Sequence, residues 1–287
     1  MTMRLFVFGC GYSASHFIHR LPDGARVVGV TSRSADKLGQ FRADGAPAFR
    51  FDGGDAEAGM AEALAVATHL LVSIAPGDAG DPVLATQRSR ILDQMPALRW
   101  IGYLSTVGVY GDHGGEWVDE NGPLRPVSKR SVQRVEAEAA WQALADERDV
   151  PLAILRLSGI YGPGRSAIDN LRAGTARRLV KPGQVFNRIH VDDIAGALRL
   201  VSAQARGGVF NVTDDEPAPP QDVVAYAAGL LGIDPPAEIP FDTAELTPMA
   251  RSFYGENKRV RNDRLKSAGY EFLFPTYREG LKNVLTP

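Results

Sequence analysis

Gly9-Cys10-Gly11-Tyr12-Ser13-Ala14 follows the apolar run Leu5-Phe6-Val7-Phe8 directly and opens a helical pattern. Two glycines one residue apart, with a small residue three positions on, form the spacing that receives a pyrophosphate when it joins a strand to a helix. Gly9 permits the tight turn. Gly11 lets the backbone approach the phosphates, Ala14 lets helix and strand pack closely, and the helix start at Tyr12 and Ser13 offers N–H donors to the anion. About twenty residues further on, where a carboxylate would hold the ribose diol of NAD, the second apolar run ends in Thr31-Ser32-Arg33. A guanidinium beside a hydroxyl suits a 2′-phosphate, so NADP is the expected cofactor; the alternative is NAD, with Arg33 a solvated loop residue. Asp52, after the third run, either accepts from the adenine amino group or ends the strand. Ile74-Ala75-Pro76, after the fourth, either passes beneath the adenosine ribose or is an ordinary strand exit.

The elements that must position these residues alternate. Short β-rich runs at 4–8, 26–31, 48–51, 69–74, 100–104 and 152–157 are separated by helical patterns at 14–20, 82–95 and 128–147. That alternation predicts an α/β fold with a doubly wound parallel (Rossmann) sheet, whose ligand loops lie at the strand C-termini. After Gly164 the elements shorten between Gly and Pro: a helix over 191–203, a strand over 209–212 and a helix over 221–231. The expected division is a dinucleotide-binding domain over 1–164 and a smaller C-terminal substrate lobe over 165–287, with some segments returning to the first domain. Residues 232–248 lack periodicity and are expected to form a surface connection or lid. Thr276-Tyr277-Arg278-Glu279 has the spacing of a capping box that opens a last short helix.

Composition narrows the partners. The 287 residues carry a formal charge of -2, which provides no basic field for nucleic acid. No segment approaches the length that spans a bilayer, no signal layout opens the chain, and the single cysteine, Cys10, fits a reducing compartment, so a cytoplasmic protein is expected. His190 and Asp192-Asp193 suggest a metal or an acid/base pair, but no grouping has a zinc spacing, and no metal is expected.

Four blocks in order give the chain a wider likeness: Tyr103-Leu104-Ser105-Thr106 through Val109-Tyr110-Gly111; Arg156 through Ser158-Gly159-Ile160-Tyr161-Gly162-Pro163; Arg188 through Ala195; and Phe210 through Pro217. With the glycine loop they resemble the extended short-chain dehydrogenase/reductase superfamily, also called the NAD-dependent epimerase/dehydratase family, over nearly the whole chain. The resemblance implies cofactor contacts from Ser105 and from Ser158, Gly159 and Ile160, and makes Thr106 the hydroxyl that bonds the reacting substrate oxygen. It also implies a Tyr-x-x-x-Lys acid/base pair. Counting back from Glu138 puts Arg134 at the lysine position and Arg130 at the tyrosine position. Both guanidiniums stay protonated and cannot act as a general base near neutrality, although they can bind an anion.

Tyr110 and Tyr161, with His113, Asp119 and Glu120 beyond, are the nearby groups that could replace the missing acid; packing is the competing role for each, and Tyr103 reads as strand core. Arg172, Arg177, Arg178 and Lys181 either receive an anionic substrate or form a solvated surface. In the family the 190–193 stretch caps a helix and ties the lobes together, which is the reading preferred here. Two functions remain open. One is an oxidoreductase or epimerase acting on a nucleotide-linked or phosphorylated sugar; the other is a non-catalytic NADP-binding redox sensor or regulatory protein. A homodimer through the helices at 82–95 and 128–147 is expected by family analogy, unless faces that include Val132, Val135 and Leu144 cover the sheet instead.

Overall fold

The computed structural model describes residues 2–54 and 57–286. The chain divides into two compact units. The first holds Met1–Thr106, Lys129–Arg156 and Ile194–Phe210; the second holds Val107–Ser128, Leu157–Asp193 and Asn211–Pro287. A stretch does return to the first unit after residue 165, but 107–128 and 157–164 belong to the second, so no single cut at Gly164 describes the chain.

The first unit is built on strands β1 (Arg4–Phe8), β2 (Arg26–Ser32), β3 (Ala48–Arg50), β4 (His69–Val72), β5 (Trp100–Thr106), β6 (Leu152–Leu157) and β7 (Gly208–Val212). Its helices are α1 (Tyr12–Ile18), α2 (Ala35–Ala43), α3 (Met60–Val66), α4 (Pro82–Asp93), α5 (Lys129–Arg148) and α6 (Val191–Ala203), the last begun in the second unit. The strands form one parallel sheet in the order β7-β6-β5-β4-β1-β2-β3. Strand order reverses between β1 and β4, which makes their C-terminal ends the crevice of a doubly wound sheet. Helices α2 and α3 are additions to the sequence expectation; β4 stops at Val72, so Ile74 lies in the following loop.

Local chemistry explains the element ends. Asp81 caps α4 by accepting from the Val83 and Leu84 N–H groups at 2.9 and 3.1 Å, and Pro82 occupies the first turn, where it forfeits no helical bond. The same carboxylate accepts from Trp141 Nε1 at 3.0 Å, which ties the start of α4 to the middle of α5. On α5, Ala137, Glu138, Trp141, Leu144 and Ala145 are buried while Val132 remains 39% exposed. Spacings of three and four place that buried set on one face.

One polar contact crosses this apolar interior. The Arg156 guanidinium on β6 meets the Glu138 carboxylate with Nη2–Oε2 at 2.7 Å and Nε 3.2 and 3.3 Å from the two oxygens, each side chain 6% exposed. Ser105 Oγ on β5 donates to the same carboxylate.

In the second unit three short parallel pairs join Gly159–Tyr161 to Arg188–His190, Arg178–Val180 to Glu238–Pro240, and Trp117–Val118 to Arg259–Val260. The second pair places a short strand inside the 232–248 stretch, which otherwise stays mostly exposed as a surface connection. Ile239 lies in register with Leu179, and Ala244 and Tyr254 bury against that strand, so tertiary pairing orders a Pro-rich segment whose own pattern is silent. The helix Tyr277–Leu285 opens on the expected capping box between Thr276 and Glu279. Among the described residues no helix is long and apolar enough to cross a membrane.

Glu138→Gln should lower the unfolding free energy by about 3–5 kcal/mol, because it leaves the buried Arg156 charge without its carboxylate. Replacing both residues by Met should recover most of that loss. Urea titration of the three proteins checks this, and a Glu138→Gln variant as stable as the parent would contradict it.

Candidate functional site

The glycine loop sits at the sheet's reversal point. Gly9 adopts φ +83°, and a Cβ on it would lie 2.5 Å from Ile74 Cγ1, so both its backbone and its neighbour from the β4 exit demand glycine. Its N–H donates to Thr31 Oγ1 at 2.8 Å, and the Cys10 N–H donates to Thr31 O at 2.8 Å, fixing the loop to β2. A Cβ on Gly11 would meet nothing within 4 Å, and Gly11 caps α1 without any side-chain hydrogen bond. The backbone at Gly11 is therefore open, with no neighbouring atom against it. Ala14 is fully buried and Ser13 nearly so, which leaves backbone N–H groups as their means of contact; the Tyr12 ring packs edge-on against His16.

Cys10 contributes no nucleophile. Burial pushes its thiol up to about 12, against the pull of the Lys37 ammonium. Lys37, a residue without a motif, thus acts electrostatically on a residue of the glycine loop.

At the end of β2, Ser32 Oγ accepts from the Ser34 N–H at 3.1 Å, and Ser34 Oγ caps α2 by accepting from Lys37 N. Arg33 and Lys37 are both exposed at this edge. Asp52, read as an adenine contact, instead pairs with Arg50 Nη2 at 3.6 Å and accepts from the Gly54 N–H at 3.3 Å. Ala75 is exposed and Pro76 half-buried beyond Ile74.

The β5 end carries Ser105 and Thr106, the positions to which the family resemblance assigns cofactor and substrate contacts. Thr106 is its last residue and half-buried. Ser105 departs from its expected cofactor contact: it is buried, and its hydroxyl is committed to Glu138. Arg134 on α5 donates through Nη1 to Leu104 O at 2.6 Å and to Tyr103 Oη at 3.2 Å, so its cation lies against the strand end two residues before Thr106. Burial pushes the Tyr103 phenol up to about 12, although Arg134 opposes the shift. Arg130 is exposed one turn earlier. Lys129 and Gln133 both reach Asp78, which holds the first turn of α5 to the 77–80 loop and pulls the Asp78 carboxyl below its ordinary range.

The remaining candidates lie in the second unit. Tyr110 is fully buried and donates to Asn211 Oδ1 at 2.8 Å, while Glu120 accepts from the Asn211 N–H at 2.9 Å; both are packing groups, which corrects the assignment of Tyr110 as a catalytic residue. His113 Nε2 meets Tyr110 O at 3.1 Å, and Asp119 caps its own turn. The Ser158 N–H donates to Val212 O and the Gly159 N–H to Asn187 O, while Ile160 is half-buried. Asp193 accepts from Tyr270 Oη and the Leu273 and Phe274 N–H groups, which ties a helix start to a loop within the second unit. Among the described residues no group of three or more His, Cys, Asp or Glu is placed to hold a metal.

Arg177 and Arg178 donate to Glu245 O and Pro236 O, and Lys181 donates to Tyr254 O, so three of the four cations read as anion receivers hold backbone carbonyls. Arg172 is exposed.

Comparison with known proteins places this geometry. The model of the NAD dependent epimerase/dehydratase family matches residues 89–213. A conserved protein of unknown function from Silicibacter pomeroyi DSS is 48% identical, with 99% of this chain and 98% of that one aligned at a TM-score of 0.88. The 3-diazoavenalumate denitrifying reductase of a Streptomyces species is 30% identical over 161 residues, 51% of either protein. The chain thus spans about half the length of the curated relatives it matches. The UDP-glucose 4-epimerase of Thermus thermophilus, solved with NAD, shares the fold at 21% identity and a TM-score of 0.73, over 98% of this chain and 97% of the other.

Cys10 should resist iodoacetamide at pH 8 in the native protein, since a thiol pushed up to about 12 carries almost no thiolate there, and should react on unfolding in urea. Mass spectrometry of the alkylated protein checks this. Rapid native labelling would show that the glycine loop is open around its sulfur.

Proposed function

We propose that the protein, whose residues 89–213 match the NAD dependent epimerase/dehydratase family, is an NADP(H)-dependent reductase without a tyrosine–lysine proton relay. The observation that carries this reading is the position of Arg134. A guanidinium held to Leu104 O and Tyr103 Oη stands beside the β5 end that carries Thr106.

The open backbone at Gly11 and the tight turn at Gly9 fit a pyrophosphate. Ser32, Arg33 and Lys37 would hold the 2′-phosphate, Lys37 adding a cation that no motif announces. The bound nicotinamide supplies a hydride. Thr106 donates a hydrogen bond to the atom that gains charge, and Arg134 stabilises that charge through its field without giving up a proton. Oxidising an alcohol, or epimerising a nucleotide-linked or phosphorylated sugar, removes a hydroxyl proton; a positioned base contributes about 10²–10⁴-fold to such a step. With Arg130 and Arg134 at the acid/base positions, that chemistry is disfavoured. Reduction of an acceptor polarised enough to accept hydride, with the proton then drawn from water, needs no such base. The similarity to a reductase, over the half of the chain it covers, supports the same class.

A redox sensor that binds NADP(H) without turnover is the second reading. It is favoured by the two hydrogen bonds that commit Arg134 to β5 rather than to a substrate.

Calorimetric titration should show NADPH binding more tightly than NADH. Arg33→Ala and Lys37→Ala should each weaken NADPH binding by about tenfold or more, the equivalent of a lost charge-assisted hydrogen bond, and leave NADH unchanged. Equal affinities for the two cofactors would overturn the NADP assignment. NADPH consumption with electrophilic acceptors, and none with nucleotide sugars, is the expected activity pattern. Rapid turnover of nucleotide sugars that survives Arg130→Ala and Arg134→Ala would overturn the relay-free reading, and tight binding with no turnover of either panel would establish the sensor.

A further inference from the structure

The second unit contains a cavity of about 240 Å³ that the preceding reading does not use. Its walls are mostly apolar: Val223 and Val224 from the helix Pro220–Leu231, Leu281 and the Tyr277 ring from the helix Tyr277–Leu285, and Tyr161. A charge lies within this wall. Arg188, at the start of the strand Arg188–His190, is half-buried in the cavity wall, and its desolvation draws it down from the ordinary arginine range.

A desolvated cation is ordinarily paired with a carboxylate. Arg188 is not. Its Nη1 donates to Phe186 O at 2.9 Å and Ala218 O at 3.1 Å, and its Cζ stands 6.0 Å from the Tyr277 ring centroid. Asp214 acts on it through space, without an ion pair or hydrogen bond between them. Nη1 has two protons and both are used, so the planar edge formed by Nε and Nη2 is the part of this cavity-lining side chain that a ligand could engage. That edge offers two parallel N–H donors, the geometry that matches the two oxygens of a carboxylate. Arg177 also lines the cavity and adds positive potential, and Asn170 and Thr175 supply polar side chains beside it.

Tyr161 also lines the cavity, and its hydroxyl is buried against Gly280, where a Cβ would lie 1.9 Å from it, so the glycine lets the phenol pack beside the helix Tyr277–Leu285.

We propose that this cavity binds a small carboxylate on an apolar body, with the carboxylate on the Nε–Nη2 edge of Arg188 and the body against Val223, Leu281 and Tyr277. The site lies wholly within the second unit, and its occupation does not depend on the dinucleotide.

The test is calorimetric titration of the full chain, with no dinucleotide present, using 3-phenylpropionate, 3-phenylpropionamide, phenyl phosphate and inorganic phosphate. The carboxylate should bind saturably, and its uncharged amide should bind about tenfold or more weakly, the loss expected when a charge-assisted pair is replaced. Because Arg188 also holds two backbone carbonyls, its substitution risks the fold, and two gentler variants carry the test. Asn170→Asp places a like charge at the rim and should weaken 3-phenylpropionate about tenfold; Val224→Trp fills the cavity and should abolish binding. Tighter binding of either phosphate than of the carboxylate, equal binding of acid and amide, or unchanged affinity in both variants would each overturn the proposal. So would the absence of saturable binding by the parent protein. Failure here leaves NADPH binding, measured separately, untouched.

Discussion

The Glu138–Arg156 pair, with Ser105 donating to the same carboxylate, is the contact on which the reactive end of the first unit depends. It joins β5, α5 and β6 where all three are otherwise apolar. Two opposite charges removed from water are tolerated only when geometry and additional hydrogen bonds offset their desolvation, and here the carboxylate has a bidentate guanidinium and a hydroxyl. The pair therefore fixes the register of α5 against the sheet. Arg134 lies one turn before Glu138 on the same face, so holding Glu138 in place also aims Arg134 at the β5 end. Trp141, nearly one further turn along, meets Asp81 and brings the start of α4 into the same arrangement.

This has a consequence for the chemistry. A lysine and a tyrosine one turn apart on α5 would carry a proton between substrate and solvent, whereas Arg130 and Arg134 offer fixed positive charge. Charge without exchangeable protons stabilises an anion but does not complete a proton-coupled oxidation. Helix α5 is pinned to its neighbours at Arg134, Glu138 and Trp141.

The second unit is organised by buried polar side chains in the same manner. Asn211 receives the Tyr110 hydroxyl, donates its backbone N–H to Glu120 and its side-chain N–H to Arg261 O. This one residue satisfies groups from three separated stretches, which explains why Tyr110 and Glu120, attractive as acids in the sequence, are unavailable for catalysis. Arg188 differs from these groups, having carbonyls on one nitrogen and a place in a cavity wall.

The sequence by itself determined the sheet and the glycine loop. Both depend on short-range features: β-rich runs of a few residues, helix caps such as Thr276 with Glu279, and glycines required by the turn at Gly9 and the approach at Gly11. It also placed Arg130 and Arg134 four residues apart on α5, because residue identity needs no coordinates. What only the tertiary structure decided were the partners of polar side chains. Ser105 has the same sequence neighbours whether it faces a cofactor or Glu138, and Tyr110 reads as a loop phenol until Asn211, about a hundred residues away, is placed against it. Lys37, which acts electrostatically on Cys10, and Arg188 in its cavity wall belong to no motif, and the strand at Glu238–Pro240 has no periodicity of its own. Their roles come from long-range pairing and burial, which set the desolvation of each group, and desolvation depends on neighbours that the local sequence does not contain.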